Sequence, residues 1–383
     1  MKIVVLDITG RNAVQYNPSL CKALAANLSN GEVVLIAPDI YKIPEGFKFK
    51  KLISLVPKKW SASEARWKRV VRALESVINY IYLMVYITFS KPDILHIQWL
   101  PFIDFVGVEK RILSLLHNFH PKLKIILTVH NIYPHKLSTE AKEQYRKRFQ
   151  ELDKVLDGYI VHLHSAKIEL TKEFEVVPEK VFVAYHGIYV PDGYNPQEER
   201  NKGNYKKIIL FGFQNRYKGA DILMQSLALL PKHVLDRLQV KILGKTDADL
   251  FDEYKDKTKS LNVEWINKFV PDVELYQAIG ESDLILLPYL KISQSGVLLL
   301  ALSYKKPILT SNLPSFTETL EGYPEDYFFK SNSPEDLARM LEKYVSGQID
   351  ESLIKEKIER LNIKYSWNES AKSTLYAYST LLS

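Results

Sequence analysis

The sequence has a single cysteine, Cys21, among 383 residues. That excludes an internal disulfide framework and any multi-cysteine zinc site, and it fits a reducing compartment. No uninterrupted apolar run reaches the roughly 18 residues that a membrane-spanning helix needs. The nearest approach, 77–89, is shorter and has Arg72 and Glu75 just upstream, so it reads as a buried helix. There is no internal repeat and no low-complexity tract, and disorder is not indicated. The nine histidines are scattered, with no hydrolytic triad in view. Net charge is +7, too mild to argue for nucleic acid, although it suits nucleotides, phosphorylated lipids or a membrane surface. The chain opens directly on a strand-like run, 1–6, so no signal peptide is expected.

What is present is an ordinary globular balance, 46% apolar and 25% charged, over a length that exceeds one hydrophobic core. Short β-branched runs at 2–7, 33–37, 94–98, 124–130, 158–162 and 181–185 alternate with segments long enough for crossover helices. That alternation predicts a parallel sheet covered on both faces, a Rossmann-like domain over 1–195. A linker at 191–204, rich in Pro, Gly, Asn and charge, follows. The pattern then restarts, predicting a second domain of the same class over 205–365, with strands at 207–211, 238–243, 263–266, 284–288 and 307–310. The tail, 366–383, reads as a final helix capped by Ser366. Two such domains meeting at a hinge make a cleft, and ligands bind at the carboxyl ends of the strands.

Two segments carry chemistry. Residues 211–223 lie between a strand and a helix. Gly212 permits close backbone approach, and Arg216 and Lys218 bring cationic donors, which suits a diphosphate. A surface turn with incidental charges fits the spacing equally. Residues 292–307 follow the strand ending at Leu287-Pro288-Tyr289. There Ser293, Gln294 and Ser295 precede Gly296, Val297 and an apolar helix. Free amides and the positive dipole end at such a start form an anion site, and Ser293 or Ser295 doubles as the N-cap.

These segments resemble those of glycosyltransferase family 4 and its relatives with the GT-B fold. Tyr217-Lys218-Gly219-x-Asp221 resembles the family's lysine-glycine loop. Ser293 through Leu298, followed by Lys306-Pro307, resembles its nucleotide-binding loop and helix. Val270-Pro271-Asp272 and 282–289 are similar as well. In the first domain 93–99, 128–135, 185–188 and Asn17-Pro18 match in order, so the resemblance covers nearly the whole chain. It implies an α/β GT-B fold, with two Rossmann-like lobes, a cleft between them and a C-terminal helix returning to the N-terminal lobe. It implies a hexosyltransferase that takes sugar from a UDP- or GDP-linked donor, without metal or other cofactor and with retention. The acceptor would be lipid-linked or a saccharide, in surface polysaccharide or glycolipid synthesis. By the same resemblance Lys218, assisted by Arg216, holds the diphosphate, and Gly212, Ser293, Gln294, Ser295, Gly296 and Val297 line its site. His130 faces the donor sugar. Asn17, His96, Asn131, His186 and Gly187 line the acceptor side of the cleft.

The chain departs from the family at two positions. Many members carry two glutamates eight positions apart around the second loop, where this sequence has Ile292 and Leu300. Glu318 is a nearby carboxylate that substitutes in part or is simply solvated. A non-catalytic nucleotide-sugar-binding partner of a transferase therefore stays open, as does an epimerase or hydrolase of the same architecture. An inverting reaction would need a base, for which Asp7, Asp104, His96 and His130 are candidates.

Three lookalikes read as structural. Asp247-Ala248-Asp249 is a pair of solvated acids and no metal site. Gly244-Lys245-Thr246 lacks the first glycine of a P-loop, Gln239 standing there. His162 and His164 share a strand face without a third ligand. Basic residues interleaved with tryptophan across 58–72 suit an anionic lipid surface as well as they suit a solvated helix. The expected location is cytoplasmic, peripheral on the inner face of the plasma membrane.

Overall fold

The structure is a computed structural model that describes residues 1–10, 15–38, 45–54, 66–103, 107–134, 137–189, 205–349 and 351–383. The side chains of 66–70, 72, 352 and 353 are outside that description, as are Asp104, His135, the linker 190–204 and Lys58-Lys59-Trp60. The chain divides into two compact units, Met1–Gly187 with Ser366–Ser383, and Ile188–Tyr365.

The first unit runs β1 (Lys2–Asp7), α1 (Tyr16–Asn27), β2 (Glu32–Ala37), β3 (Lys48–Lys51), α2 (Arg66–Ser90), β4 (Ile94–Trp99), α3 (Glu109–Phe119), β5 (Lys124–Thr128), α4 (Thr139–Asp153), β6 (Gly158–Val161), α5 (His164–Phe174) and β7 (Val181–Val183). Its seven strands are parallel in the order β3-β2-β1-β4-β5-β6-β7. Successive side chains point to opposite faces. Ile3 and Val5 therefore pack with α1, and Val4 and Leu6 with the layer that includes α2, α3 and α4.

The second unit runs β8 (Lys206–Phe211), α6 (Ala220–Leu229), α7 (Lys232–Leu235), β9 (Leu238–Leu243), α8 (Ala248–Tyr254), β10 (Val263–Ile266), α9 (Asp272–Glu281), β11 (Leu284–Leu287), α10 (Gly296–Ser303), β12 (Ile308–Ser311), α11 (Pro314–Thr319), β13 (Phe328–Phe329), α12 (Pro334–Val345) and α13 (Ser352–Lys364). Its sheet is parallel in the order β10-β9-β8-β11-β12-β13. The last helix, α14 (Trp367–Leu382), belongs to the first unit. Ser366 caps it by accepting from the Glu369 amide at 3.3 Å, and Ala371 and Tyr378 bury against α1 and the sheet.

In both sheets the strand order reverses between two neighbours, β1 and β4 in one and β8 and β11 in the other. Loops leaving the carboxyl ends of such a pair diverge to opposite faces and leave a crevice. In the second unit those loops are 212–219 and 288–295, the two segments singled out above.

Three sequence expectations change. His162 and His164 do not share a strand face. β6 stops at Val161, His162 is buried and His164 is exposed at the start of α5. β3, an edge strand of exposed lysines, was not expected at all. Nor is 77–89 a buried helix. It is part of a 25-residue helix whose window Ala73–Ser90 has mean hydropathy 1.3 but is only 22% buried. By length and composition alone that helix is long enough to cross a bilayer.

Candidate functional site

In the second unit the first loop is built by close backbone packing. Gly212, with φ +97°, donates to the Leu243 carbonyl at 2.9 Å and ends β8. A short 3₁₀ turn, Arg216–Lys218, closes on Gly219 at φ 72°. The turn is fastened to the second loop, since the Leu290 amide donates to the Tyr217 carbonyl at 2.8 Å. These contacts bury Lys218 to 8% exposure. Its ammonium lies 5.2 Å from the centroid of the Tyr289 ring, and no carboxylate pairs with it among the described residues. Burial pushes its pKa down to about 8.

The second loop meets the same place. A Cβ built on Gly212 would fall 3.2 Å from Lys218 Nζ and 3.5 Å from Val297 Cγ2. The ammonium and the start of α10 therefore face one small space. Ser295 caps α10, its hydroxyl accepting from the Leu298 amide at 3.1 Å. The amides of Gly296 and Val297 precede any intrahelical partner, and the space beside Gly296 is open. A buried cation, two free amides and a helix dipole aimed at one point make an anion site. Tyr289, whose ring carries the ammonium on its face, is a member that the sequence did not single out; its only signal was the place after Pro288 at a strand end.

Arg216 is held elsewhere. Its guanidinium donates to Glu253 at 2.7 Å and lies 3.4 Å from Asp249 and 3.9 Å from Asp221. The expected assistance to Lys218 is therefore not in place, because acids of α6 and α8 hold the arginine. Asp249 belongs to that cluster. Thr246, of the P-loop lookalike, accepts from Trp265 Nε1 at 3.0 Å, and its amide donates to Asn267. Ser293 and Gln294 are half-buried in the second loop, Ile292 accepts from Ser315 Oγ at 2.9 Å through its carbonyl, and Glu318 is half-buried on α11.

The first unit gathers four histidines that looked scattered. His130, His162 and His186 lie just beyond the ends of β5, β6 and β7, and His96 lies within β4. Tyr16 touches three of their rings, with centroids 5.0 Å from His130, 5.5 Å from His162 and 4.7 Å from His186. Burial pushes all four down, His96 and His186 to about 3, His162 to about 4, and His130 well below its ordinary value.

Neutral rings fix the direction of every hydrogen bond. The Ala184 carbonyl only accepts, so His162 donates to it from Nδ1 at 2.9 Å and keeps Nε2 bare. His130 then donates from Nδ1 to that nitrogen across 3.2 Å, leaving its own Nε2 bare towards Gln98, 3.1 Å away. The Gln98 amide satisfies both neighbours only with its NH₂ turned to His130 and its oxygen to His96. His96 Nε2–H also lies 2.6 Å from Thr128 Oγ1, and Tyr378 of α14 donates to His96 Nδ1 at 2.6 Å.

This removes two candidate bases, since both nitrogens of His96 and of His130 are engaged inside the fold. His96, fully buried, does not line a cleft. Asn17 is buried too and donates to Asp7 Oδ2 at 2.9 Å. Asp7 Oδ1 accepts from Thr9 and Gly10, so this acid organises the β1–α1 turn. His186 donates from Nδ1 to the Gly187 carbonyl at 2.6 Å, and Gly187 lies against the Trp367 ring. His130 stacks on Trp99, with centroids 5.1 Å apart. With Asn131 they border a cavity of ≈ 320 Å³ otherwise lined mainly by Leu100, Ile103, Tyr145 and Phe149.

The buried imidazoles make the first unit acid-sensitive. Below pH 6.5 the unfolded chain takes up protons that the fold refuses until about pH 4 at His162. Stability is therefore lost as pH falls through that window, by about 2 kcal/mol per imidazole between pH 6.5 and 5. In urea unfolding at pH 7 and pH 5, His162→Gln is expected to narrow the difference by about that amount. An unchanged difference would mean that His162 titrates normally.

Residues 194–361 match the family model described as Glycosyl transferases group 1. No curated protein sequence matches the chain. Among solved structures, the catalytic domain of starch synthase IV from Arabidopsis thaliana, bound to ADP and acarbose, superposes with a TM-score of 0.71 at 13% identity, covering 100% of this chain and 99% of that one. Anabaena Alr3699/HepE in complex with UDP gives 0.68 at 12% identity, covering 99% and 100%. A glycosyltransferase from Rickettsia africae ESF-5 gives 0.66 at 15% identity, covering 100% and 98%. At these identities the structural likenesses show the fold, which is GT-B.

Proposed function

We propose that this chain, a glycosyltransferase by its group 1 domain at 194–361 and by its GT-B fold, transfers a hexose-type sugar from a UDP- or GDP-linked donor to a lipid-linked or saccharide acceptor. The observation that carries the reading is the buried ammonium of Lys218, with no carboxylate partner among the described residues, facing the start of α10. Breaking the sugar–phosphate bond builds negative charge on the leaving diphosphate. Groups already fixed where that charge grows lower the barrier. Lys218 and the Gly296 and Val297 amides do this here, and we assign the neutralisation to them rather than to a metal. HepE and starch synthase IV, bound to UDP and ADP, hold the same class of ligand in the same fold.

Retention of configuration is the outcome we favour. The engaged nitrogens of His96 and His130 and the turn-forming role of Asp7 leave none of these three poised as a base. Front-side attack assisted by the leaving phosphate needs no such base. Surface polysaccharide or glycolipid synthesis, in the cytoplasm at the membrane, is the setting that suits this donor and acceptor. Peripheral contact through 58–72 belongs to the same reading, although most of that segment's side chains are outside the described residues.

The test is release of nucleoside diphosphate from UDP- and GDP-sugars with and without candidate acceptors. Release only with acceptor supports transfer. Release without it points to hydrolysis, and binding without turnover to a non-catalytic partner, the reading that Ile292 and Leu300 favour.

Binding is also expected to take up protons. Free Lys218 titrates near pH 8 and a bound diphosphate holds it charged. Calorimetry of UDP binding in buffers of different ionisation enthalpy should show about half a proton taken up at pH 8, and the affinity should fall about tenfold per pH unit above that. Binding without uptake would mean that the ammonium is not at the phosphate.

A further inference from the structure

We infer that the outer face of α2 is a docking surface for an anionic lipid bilayer, in which the helix lies flat and does not span. Leu74, Ile78, Ile81, Val85 and Phe89 follow one another at steps of three or four along the helix and are 43–84% exposed. This spacing makes a single stripe, roughly 22 Å long, with Val77 and Tyr82 at its sides. The opposite face of the same helix is part of the core: Tyr80, Leu83 and Ile87 are buried against the sheet. Asn79 also exchanges two hydrogen bonds with the backbone of Ile53, at 2.9 and 3.0 Å. A helix tied to its sheet in this way cannot cross a membrane while the unit stays folded. Among the described residues this apolar face stays exposed on the folded unit, which marks it as a surface for a covering partner.

Charge selects the cover. Across 73–90 the helix carries one charged residue, Glu75, whereas its first turns hold Arg66, Lys68, Arg69 and Arg72 and no acid. Lys50 and Lys51 are exposed on β3, just before Ile53. An apolar stripe that runs into a basic segment matches the two layers of a bilayer surface, acyl chains and anionic phosphates. A second copy matches less well, because each chain brings a net charge of +7. The surface lies in the first unit and does not depend on the transfer reaction assigned to the second.

The full chain is to be sedimented with vesicles of phosphatidylcholine, alone and with about 30% phosphatidylglycerol. Binding at least about tenfold stronger to the anionic vesicles is expected, weakening as salt is raised. I81E/V85E should lose about tenfold or more of that binding, with an unchanged thermal midpoint and an unchanged shift on adding UDP. Phe89→Asp, at the most exposed position of the stripe, serves if the double variant folds poorly. Equal binding to neutral vesicles overturns the inference, as does undiminished binding by both variants. A lipid-free dimer that either variant dissociates, seen by light scattering, overturns it as well. Loss of the UDP shift in the parent protein with vesicle binding intact would sink the transferase reading and leave this one standing.

Discussion

Lys218→Met is expected to give a protein that is more stable when empty and nearly unable to use its donor. The two effects share one cause. The ammonium is 8% exposed, lies on the Tyr289 ring and has no carboxylate partner among the described residues. Below pH 8 the fold bears the cost of holding that charge out of water, on the order of 3 kcal/mol. As pH rises from 8 towards the unfolded value of 10.5, the folded lysine has lost its proton while the unfolded one keeps it, and the cost disappears. Methionine, similar in length and apolar, removes the charge and keeps the packing. The variant should therefore unfold at higher denaturant than the parent at pH 7, with the gap closing by about pH 10.5. Turnover should fall about 10²-fold or more, because the leaving diphosphate loses its buried cation, and the thermal shift with UDP should nearly vanish. A variant no more stable than the parent at pH 7 would place a counter-charge beside Lys218. Near-normal turnover would remove Lys218 from the site.

Much of this was legible in the sequence because parallel sheets write themselves as apolar runs. Val4-Val5-Leu6, Ile208-Ile209-Leu210 and Leu284-Ile285-Leu286 are each buried on both faces, so a strand needs no alternation to be seen. The two phosphate loops were legible because each follows such a run and opens a helix. Lys48-Phe49-Lys50-Lys51 was not, since an edge strand covered with lysine carries no hydrophobic signature. The stripe of α2 was misread for the opposite reason. Its inner and outer faces are both apolar, and a helix apolar all round reads as buried until the sheet shows which side it takes. The histidine chain was invisible because its members stand 34, 32 and 24 residues apart. Only the parallel order β4-β5-β6-β7 makes neighbours of the strands that carry or precede them. Arg216 misled because spacing places a side chain in a loop without saying which of two charged neighbours it will meet.

Gly219→Ala is expected to cost about 3–5 kcal/mol and to abolish UDP binding. Its φ of 72° already disfavours a side chain, by about 1–2 kcal/mol. Steric contact costs more, since a Cβ there would lie 1.8 Å from the Pro288 carbonyl oxygen and 2.8 Å from its carbon. Both are backbone atoms at the end of β11, so no rotamer relieves them and one loop must move off the other. Movement breaks the bond from the Leu290 amide to the Tyr217 carbonyl and lifts Lys218 from the Tyr289 ring. Gly212→Ala separates the two consequences. There the nearest atom, 3.2 Å away, is the tip of the Lys218 side chain, which can swing, so the stability cost should be limited to about 1–3 kcal/mol for the backbone at φ +97°. The new methyl nevertheless stands between the ammonium and the start of α10, where the diphosphate would go. Denaturant midpoints and UDP thermal shifts should therefore show one variant failing in both measures and the other mainly in binding. If Gly219→Ala unfolds with the parent and binds UDP as well, the two loops are not held together at this point, and the convergence that makes the anion site is lost with them.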